Sequence, residues 1–153
     1  MIPNRIVIDT NVCLDLFVFH DPRWHAMLAA MRDRSIEAVT RTDCRTEWLI
    51  VLGYPHLPLD PESRQTCTEQ FDALIRCLPF ATPAGDVARL PVCKDRDDQK
   101  FLELARDAEA AVLITKDKAL LKLAGKTRRN GLFLILTPEA WTAMFTNISG
   151  REE

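Results

Sequence analysis

Carboxylates at four places in the chain have the types and spacing to do chemistry together. Asp9 ends the apolar, β-branched run Ile6-Val7-Ile8 and is followed by two small polar residues, Thr10 and Asn11. Glu47 falls near the start of a predicted helix, Arg45-Thr46-Glu47-Trp48-Leu49-Ile50-Val51-Leu52. Asp98 lies in the first turn of another helix, with Asp95 and Asp97 just before it. Asp117 follows Ala111-Val112-Leu113-Ile114-Thr115, the clearest interior strand. Singly, each acid has a plain structural explanation. Asp9 and Asp117 would serve as helix N-caps, the acids at 95–98 would complement a helix dipole, and Glu47 would sit on a solvated helix face.

Taken together they point to something more specific. A parallel sheet brings strand ends and helix starts to one edge, where ligands bind in open α/β folds. Three or four unpaired carboxylates in one cleft repel unless cations neutralise them. Hard divalent ions with oxygen ligands, Mg²⁺ or Mn²⁺, suit such a site. The chemistry implied is metal-assisted hydrolysis of a phosphodiester.

The elements that must position these acids follow from hydrophobic periodicity and capping signals. The first strand ends at Asp9 and a short helix carries Val12, Leu14, Leu16 and Phe17. Asp21-Pro22 opens a helix through Trp24, Met27, Leu28 and Met31. Ile36 to Thr40 reads as the second strand, followed by the Glu47 helix, stopped at Gly53 and Pro55. Asp60-Pro61 begins a long helix through Phe71, Leu74, Ile75 and Leu78, with a strand expected near residues 79–82. Asp97-Asp98 open the helix of Phe101, Leu102, Ala105 and Ala108, and a short basic helix is expected from about Lys118 to Ala124. Leu132 to Leu136 forms the last strand, and Thr137-Pro138 starts a final helix through Trp141 and Phe145. This alternation predicts a three-layer α/β/α fold around a mostly parallel sheet of about five strands. Residues 1–146 would form one domain and 147–153 a flexible polar tail.

Composition narrows the class. The chain has 153 residues, 47% hydrophobic and 27% charged, with a net charge of −2, so a polyanion partner would need a local basic patch or metal ions. Five scattered cysteines without a C-x-x-C pair suggest neither a zinc site nor a disulfide framework, and free thiols fit a reducing cytoplasm. No apolar stretch approaches a membrane span and the N-terminus lacks signal-peptide regions, so no membrane association is expected.

The chain resembles the PIN-domain ribonucleases, particularly those that are toxins of toxin–antitoxin systems, over roughly residues 4–145. The matching pieces are Val7-Ile8-Asp9-Thr10-Asn11, Glu47-Trp48-Leu49-Ile50-Val51-Leu52-Gly53-Tyr54-Pro55, the stretch from Asp95 to Ala105, and the stretch from Leu113 to Leu121. The resemblance implies an endoribonuclease with a catalytic metal site of Asp9, Glu47, Asp98 and Asp117 that uses Mg²⁺ or Mn²⁺ on single-stranded RNA. It gives Asn11 a part in positioning Asp9 or a water, leaves Asp97 as an alternative to Asp98, and implies a cognate antitoxin and a homodimer as partners. Two departures stand out: Lys116 replaces a usual glycine, and Arg96 a usual proline.

Basic residues follow the last acid: Lys116, Lys118, Lys122, Lys126, Arg128 and Arg129, with Arg41 and Arg45 near Glu47. Lys116, Lys118 and Arg45 are candidate contacts to an RNA backbone, against the plainer reading of solvated helix faces. His20, His25 and His56 are expected in loops or on helix surfaces. The alternative is a catalytically silent RNA-binding or scaffold protein on the same fold, which missing acids would favour; all four are present. An aspartyl-phosphate mechanism at Asp9 commonly wants a second aspartate where Asn11 stands, and no G-x-G-x-x-G follows the first strand for a dinucleotide.

Overall fold

The computed structural model describes residues 1–79 and 87–152, with side chains as far as 147. Among the described residues five strands form one sheet: β1 (Ile2–Ile8), β2 (Glu37–Arg41), β3 (Ile75–Leu78), β4 (Ala110–Ile114) and β5 (Leu134–Leu136). Their order is β3-β2-β1-β4-β5, and every pairing is parallel. The chain builds outward from β1 to β3, then returns to place β4 on the other side of β1. The switch point of the sheet therefore lies between β1 and β4, the crevice where open α/β sheets hold ligands.

Side-chain alternation along the strands feeds two cores. Ile6, Ile8, Val112 and Ile114 face one layer, built from α1 (Thr10–Phe17), α2 (His25–Arg32), α3 (Thr42–Leu52), α4 (Pro61–Leu74) and α8 (Pro138–Glu152). Val7, Val39, Leu113 and Ile135 face the other, built from α5 (Gln99–Asp107), α6 (Lys118–Leu121) and α7 (Ala124–Arg129). This is the three-layer α/β/α fold expected from the sequence. Caps fix the helix starts. Asp60 and Ser63 form a reciprocal capping box ahead of α4, and the Asp21 side chain accepts from the Arg23 N–H at 3.0 Å ahead of the turn leading into α2.

Three boundaries differ from the sequence expectation. The helix after Asp60 ends at Leu74, and Ile75–Leu78 is a strand, paired to β2 from Ala38↔Ile75 to Arg41↔Leu78. Phe71, Leu74, Ile75 and Leu78 suit helical spacing, but the open edge of β2 offers a full ladder to an extended chain, and tertiary pairing overrides local periodicity. The strand expected near 79–82 is thus displaced; Pro79 follows β3, and 80–82 lie outside the described residues. The expected basic helix is two short helices, α6 and α7. The last helix runs to Glu152, so the backbone of the expected tail is helical as far as that residue.

Arg41, at the end of β2, is buried and ion-paired with Asp43 at 2.8 Å, Glu103 at 3.3 Å and Asp107 at 3.7 Å. It ties β2 to α5 and is part of the scaffold. Arg45 also leaves the expected basic surface. It pairs with Asp72 of α4 at 2.8 Å and lines a groove with Arg32, Arg34 and Arg76. Its charge is met by Asp72, which is not one of the candidate site acids. Arg45→Ala removes a partly exposed ion pair and is expected to cost about 0–1 kcal/mol of stability; a denaturant melt checks this.

Candidate active site

The acids arrive at one edge because β1 and β4 end side by side. The Asp9 N–H donates to the Ile114 carbonyl oxygen at 2.9 Å, which places Asp9 and Asp117 on either side of the switch point. Both also cap helices. Asp9 Oδ1 accepts from the Thr10 N–H at 2.7 Å, and Asp117 Oδ1 accepts from the Ala119 N–H at 2.7 Å. The capping explanation and the site explanation thus hold for the same residues.

Thr115 holds the two together. Its side chain, fully buried at the end of β4, donates its hydroxyl to Asp9 Oδ2 at 2.7 Å and accepts from the Asp117 N–H at 3.0 Å. One hydroxyl therefore sets the angle of one acid and the backbone of the other. Asp9 is 3% exposed. Burial pushes its carboxyl up to about 6 against the pull of the Thr115 and Thr10 hydrogen bonds, with repulsion from Glu47 and Asp117 adding to the rise.

Asp98 comes from the turn of helix, Arg96–Asp98, that leads into α5. Carboxylate oxygens of Asp95, Asp98 and Asp117 all lie within 4.8 Å of one another. Asp98 is 9% exposed, and its Oδ2 has no hydrogen-bond partner. Burial, then repulsion from Asp9, then the close Asp117 carboxylate raise its pKa to about 7. A nearly buried, unpartnered carboxylate oxygen among other acids is suited to meet a cation. This cluster can hold a metal ion.

Glu47 projects from α3 on the other side of Asp9. It accepts the Thr10 hydroxyl on Oε2 and the Lys100 ammonium on Oε1, the latter at 3.0 Å. It is near enough to Asp9 to repel it, but both its oxygens already have partners in the chain. The structure thus brings Asp95, Asp98 and Asp117 together, sets Asp9 beside them, and joins Glu47 through Thr10. Asp97 is exposed, and its N–H donates to the Asp95 side chain at 3.0 Å. Asp98, rather than Asp97, stands in the cluster.

The supporting residues divide. Thr10 links Asp9 to Glu47, Asn11 is exposed, and the Thr115 hydroxyl donates to Asp9. Lys116 pairs with Asp15 of α1 at 2.8 Å, and Lys118 is exposed at the start of α6. The three histidines are exposed, and the five cysteines are free. Thr115 and Lys100 were not singled out from sequence. The signal for Thr115 was its place, a polar residue closing an interior strand two positions before Asp117. For Lys100 there was none, because its partner lies 53 positions away.

A PIN-domain family model matches residues 5–119, which include every acid of the site. The chain belongs to the PIN-domain family. A comparison with curated proteins finds no match. The match ends at residue 119, within α6, so α7, β5 and α8 lie outside the matched region, and β5 completes the sheet there. Among the described residues no helix is long and apolar enough to cross a membrane.

Replacing Thr115 by valine keeps the shape and removes the hydroxyl. The change leaves Asp9 Oδ2 and the Asp117 N–H without their partner, at a cost of about 1–3 kcal/mol. Denaturant melts should show that loss, and cleavage should fall roughly tenfold, as for other groups that orient a ligand.

Proposed function

We propose that this PIN domain is a divalent-metal-dependent endoribonuclease and the toxin of a toxin–antitoxin pair, acting in the cytoplasm. The observation that carries the reading is the unpartnered Oδ2 of Asp98 among the carboxylates of Asp95 and Asp117, with Asp9 alongside. Oxygen-only donors of this kind suit Mg²⁺ or Mn²⁺. Asp95, Asp98 and Asp117 would hold the ion, with Asp9 alongside and Glu47 behind Thr10.

A bound ion supplies Lewis-acid polarisation of a phosphate oxygen and lowers the pKa of a water in its shell. The chain supplies the rest. Asp9, held by Thr115 and Thr10, keeps one orientation while the pattern of charge changes around it. Lys118, exposed at the start of α6 beside Asp117, would offer an ammonium to a flanking RNA phosphate, an attraction that weakens with salt. Water attack at phosphorus breaks the bond to one ester oxygen, which leaves with a proton, and the strand is cut. Single-stranded RNA fits best, because the acids line a sheet edge with exposed helix starts on either side and a flexible strand can bend into it.

Toxicity has a direct test. Induced expression in a bacterial host is expected to arrest growth with accumulation of cut RNA, and Asp9→Asn to relieve both. Unimpaired growth with full-length RNA, in cells that contain the folded protein, would remove the toxin assignment. Salt-sensitive RNA binding with no cutting under any metal would point to the silent scaffold.

A further inference from the structure

We propose that Lys100 is a positioning residue that serves as the resident counter-cation of Glu47, so that this site takes one divalent ion at the Asp95/Asp98/Asp117 cluster and none at Glu47. The inference rests on the metal-site reading above. The two halves of the acidic edge differ in how their charge is met. At the cluster, Asp98 Oδ2 has no partner and the three acids crowd within 4.8 Å. At Glu47, Oε1 receives the Lys100 ammonium at 3.0 Å and Oε2 receives the Thr10 hydroxyl.

Lys100 is fixed at two points. Its Nζ also donates to the Asp97 carbonyl oxygen at 2.6 Å, in the turn that presents Asp98, and its side chain is 20% exposed. The ammonium lies 5.5 Å from the centre of the Phe101 ring. Ordering a long lysine side chain has an entropy cost, and here two hydrogen bonds, one of them the ion pair with Glu47, offset it. The ammonium neutralises Glu47 without a metal and repels any second cation approaching that carboxylate, an effect that grows as water is excluded. Glu47 then acts on the reaction through Thr10 and Asp9 rather than as a ligand.

Manganese titration of the full chain, read by electron paramagnetic resonance at neutral pH, tests this without any RNA. Wild type is expected to bind one Mn²⁺ ion. Glu47→Gln should keep that affinity within about threefold, whereas Asp98→Asn should weaken it by roughly tenfold or more. Lys100→Met preserves the aliphatic stem and is expected to admit a second ion, which Lys100→Met combined with Glu47→Gln loses again. Lys100→Arg, keeping the charge, should behave as wild type. A Lys100→Met protein that still binds a single ion would overturn the proposal, as would a Glu47→Gln protein that loses the first ion. Should Lys100→Met fail to fold by circular dichroism, the Glu47→Gln result alone decides. Folded wild-type protein that binds no Mn²⁺ would remove the metal site itself, a different outcome from a site that binds one ion regardless of Lys100.

Discussion

Asp98→Asn is expected to abolish RNA cleavage, by roughly 100-fold or more, while raising the melting temperature of the metal-free protein at pH 8. The two effects share one cause. The Asp98 carboxyl titrates at about 7 in the fold and near 3.8 when free. Its folded state holds the proton more tightly, so its favourable contribution is complete below about pH 4 and is lost as the pH rises through 7. Asp9, at about 6, runs in the same direction. Above neutrality both carboxylates are ionised at a place that disfavours charge. An asparagine at 98 stays neutral and removes that repulsion. Solvent at the rim screens part of it, which leaves a gain of about 1–2 kcal/mol, or roughly 2–8 °C for a chain of this size. Below about pH 4 the gain should vanish. Mn²⁺ should raise the melting temperature of wild type at pH 8 more than at pH 5, where protons compete, and should raise that of the variant less. Thermal melts across pH with and without Mn²⁺ check each part; a variant less stable than wild type at pH 8 would contradict the repulsion.

Trp48→Ala is expected to cost about 3–5 kcal/mol, a fall of roughly 6–20 °C in melting temperature. Trp48 is buried and stacks on Phe71 with ring centres 5.0 Å apart, and Phe17 packs edge-on to both at 6.0 Å. These three rings join α1, α3 and α4. The indole N–H has no hydrogen-bond partner, so the loss is one of packing and cavity formation rather than of a polar contact. Since Trp48 follows Glu47 directly, its ring also fixes the rotation of α3 that turns Glu47 toward Thr10 and Lys100. Cleavage should therefore fall by more than the unfolded fraction accounts for, and Trp48→Phe should lose less of both. Denaturant melts set beside cleavage rates of the folded fraction test this.

Much of the fold could be read from local pattern. The strand ending at Asp9 and the strand before Asp117 are apolar runs with β-branched residues, each followed by a carboxylate. Ile75–Leu78 could not be read this way. Its apolar spacing continues that of α4, and only the free edge of β2 makes it a strand. The site divides along the same line. Asp9, Asp98 and Asp117 sit at strand ends and helix starts, positions that capping and topology both mark. Arg45 looked near Glu47 because it is two residues away, yet residues two apart on a helix do not face each other, and Arg45 turns to Asp72. Lys100 and Thr115 act across long stretches of chain, on Glu47 and Asp9, and no local spacing encodes such partners.

Cleavage of an end-labelled single-stranded RNA by wild type and by Asp9→Asn, each with Mg²⁺, with Mn²⁺ and with EDTA, tests the central claim most directly. The expected result is internal cutting by wild type with either metal, none with EDTA, and none by Asp9→Asn under any condition. Cutting that persists in EDTA and in Asp9→Asn would contradict a metal-dependent carboxylate site.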